Sequence, residues 1–274
     1  MLTSLLHALS VAALAVSAAA VTPSRTTRDA YPDVNPVGVV TRSLAMNPLV
    51  PPLTNAQRLS RGLGPNRPRR AYGARRLQAL SLQPRQSSTP CVIQATGKIA
   101  VYGGSALSGY LWRSANAFGE YGSTLDESQA LIVNICEASG VHNIYAQNGF
   151  ADFPFLGLIS GAVNTNDNMS PSSFNYAYVG GTVQTLTGSP AISGDNSFTH
   201  ATRNERKIES AVWSLGSDNA PTLSWVNSNG ARVNCVIVHV VSGTDDSFVA
   251  TAGYSDYVDM FGPSALYSFK FVPL

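Results

Sequence analysis

Paired carboxylates are the commonest chemistry-bearing motif in this chain of 274 residues: Asp126 with Glu127, Asp245 with Asp246, and Asp256 with Asp259. Two neighbouring carboxylates offer the oxygen ligands that Ca2+ takes, and two brought together by a fold can act as acid and base. More often such residues cap turns or solvate a surface. Glu209 stands apart from these pairs. It lies in Ile-Glu-Ser-Ala-Val-Trp-Ser, on one strand face with Ala211 and Trp213, and is the acid expected to point inward, where burial raises a carboxyl pKa.

Nucleophilic and metal chemistry find less support. Gly103-Gly104-Ser105 and Gly157-Leu158-Ile159-Ser160-Gly161 both miss the G-x-S-x-G spacing of a nucleophile elbow. His142, His200 and His239 each fall on or beside a strand candidate and read as structural histidines. With no H-E-x-x-H and no close pair of histidines, neither a metal nor a cofactor is expected. Aromatic residues give a different lead. Tyr110 and Trp112 alternate onto one face of their strand and Leu107, Gly109 and Leu111 onto the other; aromatics exposed in this way can stack on pyranose rings. Core packing is the competing use of any Trp, and Trp213 and Trp225 are assigned to it.

The elements that must position these residues begin at Pro90, where aromatics, β-branched residues and all three Cys appear and Gly/Asn/Ser/Asp clusters recur at short intervals. Eleven strand candidates follow: 91–95, 98–102, 107–113, 130–136, 142–147, 156–162, 177–185, 208–214, 222–227, 232–241 and 265–272. That rhythm predicts an all-β domain over 91–274, an antiparallel sandwich of jelly-roll type. Asn229-Gly230 marks its clearest hairpin, and 256–261 reads as a single helical turn. Cys136 and Cys235 sit in the apolar runs ALIVNIC and VNCVIVHV and are the preferred disulfide, although spacing alone does not fix the pairing. Cys91 is then the odd thiol, available for a disulfide-linked dimer. Asn168-Met169-Ser170 is a glycosylation sequon, weakened by Pro171 directly after it.

Charge divides the chain in two. Residues 21–88 hold eleven Arg against two Asp, and residues 89–274 hold seven Lys and Arg against fourteen Asp and Glu, so a net charge of +2 averages +9 and −7. Ahead of both, residues 2–20 read LTSLLHALSVAALAVSAAA, a secretory signal peptide with an A-x-A site ending at Ala20. Its apolar run is shorter than the roughly 20 residues of a membrane anchor, and no later segment qualifies. Residues 21–88 contain nine Pro and no Phe, Trp or Cys, too little apolar surface to offset ordering entropy. Only 54–63, between a Thr54 or Asn55 cap and Gly62, suggests two helical turns. Arg67-Pro68-Arg69-Arg70 and Arg75-Arg76 are dibasic sites for a kexin-like protease, making 21–76 a disordered basic propeptide and 77–90 a linker. A retained basic tail that holds polyanions is the alternative. A propeptide of this charge could also lie against the acidic domain while it folds.

The motifs TNAQRLSRGLGPNRPRR (54–70), FGEYG (118–122), YAYVGG (176–181), GDNSF (194–198), IESAVWSL (208–215) and LSWVNSNG (223–230), in this order, resemble a family of secreted proteins of mushroom-forming fungi. The resemblance covers nearly all of the chain after the signal peptide. It implies a secreted precursor with a β-rich domain, and it brings no catalytic residue; the three Cys depart from the family pattern. Fungal glutamic peptidases, also prepro-secreted β-sandwiches, offer Glu209 alone as a counterpart, without their Gln and Glu surroundings. The sequence therefore leads to an extracellular, non-catalytic module for cell-wall or surface carbohydrate, with no nucleic-acid partner and no membrane after signal cleavage. Tyr110, Trp112 and Glu209 are its candidate ligand contacts. A hydrolase using paired carboxylates is the second reading and a self-associating wall protein the third. The first expects exposed aromatics near Tyr110 and Trp112, the second two acids converging in a concavity, and the third a flat apolar patch or an open strand edge.

Overall fold

A computed structural model describes residues 31–47, 59–60, 92–136, 140–216, 219–242 and 245–274. The processing positions Ala20, Arg70 and Arg76, the linker 77–90 and Cys91 lie outside the described residues. Fourteen strands occur among them: β1 (Ile93–Gly103), β2 (Ala106–Ala115), β3 (Tyr121–Thr124), β4 (Ile132–Cys136), β5 (Ile144–Ala146), β6 (Phe155–Ser160), β7 (Tyr176–Thr182), β8 (Ile192–Ser193), β9 (Lys207–Glu209), β10 (Trp213–Leu215), β11 (Pro221–Val226), β12 (Arg232–Ser242), β13 (Asp245–Thr251) and β14 (Ala265–Pro273). Two short helices join them, α1 (Ser197–Thr202) and α2 (Tyr254–Phe261). Leu59 and Ser60 are helical, at the centre of the segment 54–63 predicted to be so.

The antiparallel all-β class holds throughout. Eight strands pair in the closed order β1, β14, β12, β13, β7, β6, β5, β4 and back to β1, so the ladder runs as a barrel instead of two separate sheets. Closure follows from length: β1 and β12 hold eleven residues each, enough to serve different partners along one edge. β1 gives Ile93–Lys98 to β4 and Ala100–Gly103 to β2, and β12 gives Arg232–Cys235 to β11 and Val236–Ser242 to β13. A ring of this kind leaves none of its own strands with an open edge.

Side-chain alternation then sorts residues to two sides of the wall. Ile99, Val101, Val133, Ile135, Leu156, Leu158, Ala177, Val179, Ile237, Phe248, Ala250, Phe269 and Phe271 fill the interior together with Trp213 and Trp225. Outside the wall, Ile159, Tyr176, Tyr178, Val238, Val240 and Val249 form a second cluster with Phe198 of α1 and Tyr257 of α2. Gly97 is required by this packing, because a Cβ there would run into the Phe271 ring and the Val272 carbonyl.

The N-terminal segment departs from its predicted disorder. Residues 32–47 cross the outside of the barrel as an extended strap, with Val34 in the outer cluster and Leu44 and Met46 against the inner one. The segment has no core of its own and uses the domain's. Backbone hydrogen bonds tie Arg42 N to Ala201 O (3.0 Å), Asn47 N to Gly149 O (2.7 Å) and Ala151 N to Ala45 O (2.9 Å), and Met46 bridges Phe150 in antiparallel fashion. Gly119, at φ +82°, lets the strap come close: a Cβ there would stand 2.7 Å from the Ser197 backbone and 3.0 Å from Leu44 Cδ1.

Candidate functional site: an exposed aromatic face on β1 and β2

On β1, Ile99 and Val101 point into the barrel, so Lys98, Ala100 and Tyr102 share the outer face. Ala100 pairs with Tyr110 of β2 and with Lys270 of β14, Lys98 with Val272, and Tyr102 with Ser268. The outer face therefore carries Tyr110, Trp112, Tyr102, Lys98 and Lys270 together. Trp112 is 38% exposed, while Trp213 and Trp225 are fully buried. Leu111 is buried inside the barrel, as its alternation with Trp112 requires.

Leu107 does not follow Leu111 inward. Gly109 pairs with Val101 and Leu107 with Tyr102, so Ser108 is the extra residue of a bulge, and parity flips beyond it. Leu107, 53% exposed, joins the aromatic face, and Leu125, 86% exposed, follows β3 beside it. One lysine of the face is paired: Lys98 Nζ is 3.0 Å from Glu127 Oε1. Asp126 accepts hydrogen bonds from Ser128 N (2.9 Å) and Ser128 Oγ (2.7 Å), which lower its carboxyl pKa and close the turn before Ala130, the bridge partner of Trp112. The Asp126-Glu127 pair is thus a turn cap and a lysine partner.

The other acids are separately engaged. Asp246 accepts from His239 Nε2 (2.7 Å), Ser123 Oγ (2.8 Å) and Ser123 N (3.1 Å) at one end of the barrel. Burial alone would raise its pKa, but these hydrogen bonds outweigh burial and lower it. The carboxylate stands between serine and histidine, so His239 cannot take the Ser123 proton as a catalytic triad would. Asp256 lies in the first turn of α2, which starts two residues before the predicted turn, and Asp259 is exposed on that helix. Among the described residues no cluster of three His, Cys, Asp or Glu could hold a metal ion. His142 contacts Cys136 O at 3.2 Å, and His200 packs on Phe153 with ring centres 5.6 Å apart. A cleft of about 460 Å3 beside the strap is lined by Asp152, Asp195, His200, Arg42 and Arg203, of which the sequence singled out only His200, as a structural histidine, and Asp195, within the motif GDNSF.

Glu209 is buried, as predicted, at the end of β9. Both carboxylate oxygens accept from Val226 N, at 3.0 and 3.1 Å. Burial pushes its pKa up to about 8, against the opposing pull of the Val226 amide and Arg232. It lies away from the aromatic face, so it joins the structural groups and leaves Tyr110 and Trp112 as the ligand candidates.

The Cys136–Cys235 bond expected from sequence is corrected: Cys235 is a free thiol, whereas Cys136 is disulfide-bonded. Cys235 faces Leu223 across β11 and β12, and Cys136 faces Ile93 at the start of β1. Two strands, β1 and β14, stand between them in the ring, roughly 14 Å at ~4.8 Å per ladder step, beyond the roughly 7 Å Cα limit for a bridge. Burial, with the Glu209 charge adding to it, pushes the Cys235 thiol up to about 12. Cys91, and with it the dimer read from that residue, lies outside the described residues. Three Cys and one free thiol leave one intramolecular pairing. A non-reducing peptide map is expected to join Cys136 to the Cys91 peptide, with Cys235 alkylated only after unfolding; a Cys136–Cys235 link or a covalent dimer would contradict it.

Asn168 of the sequon is half-buried, and its Oδ1 accepts from Ser228 N at 2.8 Å. Among the described residues no helix is long and apolar enough to cross a membrane. No family model, curated protein or solved structure matches the chain.

Proposed function

We propose that the chain is a secreted, proteolytically processed all-β protein whose domain binds cell-wall or surface carbohydrate, through Trp112 and Tyr110 on the outer face of β1 and β2. The observation that carries this reading is the placement of the tryptophans: two of three are fully buried, and the third is presented on an outward strand face next to Tyr110, with Tyr102 farther along the same face. An apolar ring edge held at a wet surface suits the CH face of a sugar, and Lys98, Glu127 and Lys270 supply hydrogen-bonding groups around it. The flattened, sandwich-like form expected from the sequence belongs to this proposal, because a flattened barrel offers a broad outer wall for a polysaccharide chain.

The test is retention of the purified full-length chain on insoluble β-glucan and chitin, compared with Trp112→Ala and Tyr110→Ala. Wild type is expected to be retained on one of them. Trp112→Ala should bind at least about tenfold more weakly, as for a central aromatic contact. Absence of retention, or retention of Trp112→Ala equal to wild type, overturns the reading.

A further inference from the structure

Where the strap crosses β7, the carbonyl of Val34 accepts two phenol hydrogen bonds, from Tyr176 Oη (2.5 Å) and Tyr178 Oη (2.7 Å). The next residue, Asn35, donates from Nδ2 to Glu120 Oε2 (3.1 Å), which also accepts from Asn116 Nδ2 (2.7 Å). Glu120, Tyr176 and Tyr178 are all fully buried beneath the segment. The two phenols are 3.1 Å apart, and Tyr178 stacks on Phe198 of α1 at 4.6 Å, which fixes the pair as a clamp. Burial holds both phenol pKa values far above the usual range, so they stay donors at any pH an extracellular protein meets. Beside them Tyr257, its ring 5.9 Å from that of Tyr176, keeps a buried hydroxyl without a hydrogen-bond partner among the described residues. Farther along, Met46 adds a one-residue bridge to Phe150, and Leu44 and Met46 pack on the inner cluster.

These are the means by which a protein recognises an extended peptide in trans: a carbonyl clamp, a carboxylate for the following carboxamide, an apolar anchor on each side and backbone pairing at one end. We propose that the surface under residues 32–47 is a peptide-binding cleft, built around Tyr176, Tyr178 and Glu120 and occupied in cis by the Val34-Asn35 segment of the same chain. The intervening 45 residues, 48–92, connect this segment to β1 and hold both dibasic sites, so a cut there leaves the segment as a separate, bound peptide. The effective concentration of a tethered ligand disappears at that cut, and the cleft then holds the peptide by its own affinity alone. The inference depends on processing only for when the cleft opens, and its readout involves no glycan.

The experiment uses the full-length chain, folded first, carrying a site-specific protease sequence in place of residues 67–76. After cleavage, the N-terminal fragment is expected to co-elute with the domain, and a labelled synthetic peptide of residues 32–47 is expected to exchange into the complex. The same peptide with Asn35→Ala should compete at least about tenfold more weakly, because it loses a hydrogen bond to a carboxylate. Changing the peptide leaves the fold of the domain untouched. Immediate loss of the fragment on cleavage would overturn the proposal, as would competition by Asn35→Ala equal to wild type. Unfolding of the domain when the fragment leaves would also overturn it, by making the strap part of the core and not a ligand.

Discussion

Glu209→Gln is expected to abolish a loss of stability that the wild-type protein suffers between about pH 4.5 and pH 8. In the folded state the carboxyl group keeps its proton up to about pH 8, chiefly because burial disfavours the charge. In the unfolded chain it ionises near 4.5. Through this window the folded state holds more protons than the unfolded one, so stability falls as pH rises, by about 1.4 kcal/mol per pH unit for one group. The contribution is complete below 4.5 and gone above about 8, a difference on the order of 5 kcal/mol in a protein whose total is roughly 5–15 kcal/mol. Glutamine keeps the volume and an acceptor for Val226 N but carries no proton to lose. Urea unfolding of the full-length chain from pH 4 to pH 9 should therefore slope downward for wild type and run nearly level for Glu209→Gln. Parallel slopes would refute the assignment.

Asp246 works in the opposite direction and bounds the stable range on the acid side. Its folded pKa is lowered by His239 and Ser123, so its contribution is present above the ordinary carboxylate value and lost as pH falls through the folded one. Both groups favour mildly acid solution, and the variant should show its largest gain over wild type at pH 8.

How much of this was legible in the sequence depended on whether a pattern was local. The Asn229-Gly230 hairpin lies where predicted, with Gly230 at φ +82° and its amide bonded to Asn227 O. The burial of Glu209 followed from its place between apolar neighbours. β13 was missed because Asp245-Asp246 looked like a polar turn, yet the run from Ser247 to Thr251 is buried on both faces, one against the barrel interior and the other against the outer cluster. α1 was missed because six residues, Ser197–Thr202, carry no period; it forms because Asn196 caps it and Phe198 anchors it. The strap was invisible for a different reason. Val34, Leu44 and Met46 lack a core in the sequence around them and acquire one only when the distant β7 and the turn at Gly119 are folded. Cysteine pairing failed in the same way, since which strands are neighbours in a ring is not written in their spacing.

Trp213→Ala is expected to be the most damaging single substitution at a tryptophan, and Trp112→Ala the least. Trp213 is fully buried, its indole donates to Leu156 O at 2.7 Å, and its ring stacks against Phe269 with centres 6.2 Å apart. It thereby fixes β10, a three-residue strand paired with β11 over Trp213–Leu215 and bridged to His142, to β6 and β14 of the ring. Truncation removes the buried ring, leaves a cavity and strands the Leu156 carbonyl, for a cost of about 3–5 kcal/mol. Trp213→Phe keeps most of the ring and loses the indole donor, and should cost about 1–3 kcal/mol. Trp112 lies on the wet side of β2, where truncation should shift stability by no more than about 0.5 kcal/mol. Urea midpoints taken at pH 5, where Glu209 is neutral in the fold, separate these values from the effect of that carboxyl. A Trp112→Ala loss as large as that of Trp213→Ala would mean that the β2 face is packed and not presented, and would remove the basis for a ligand there.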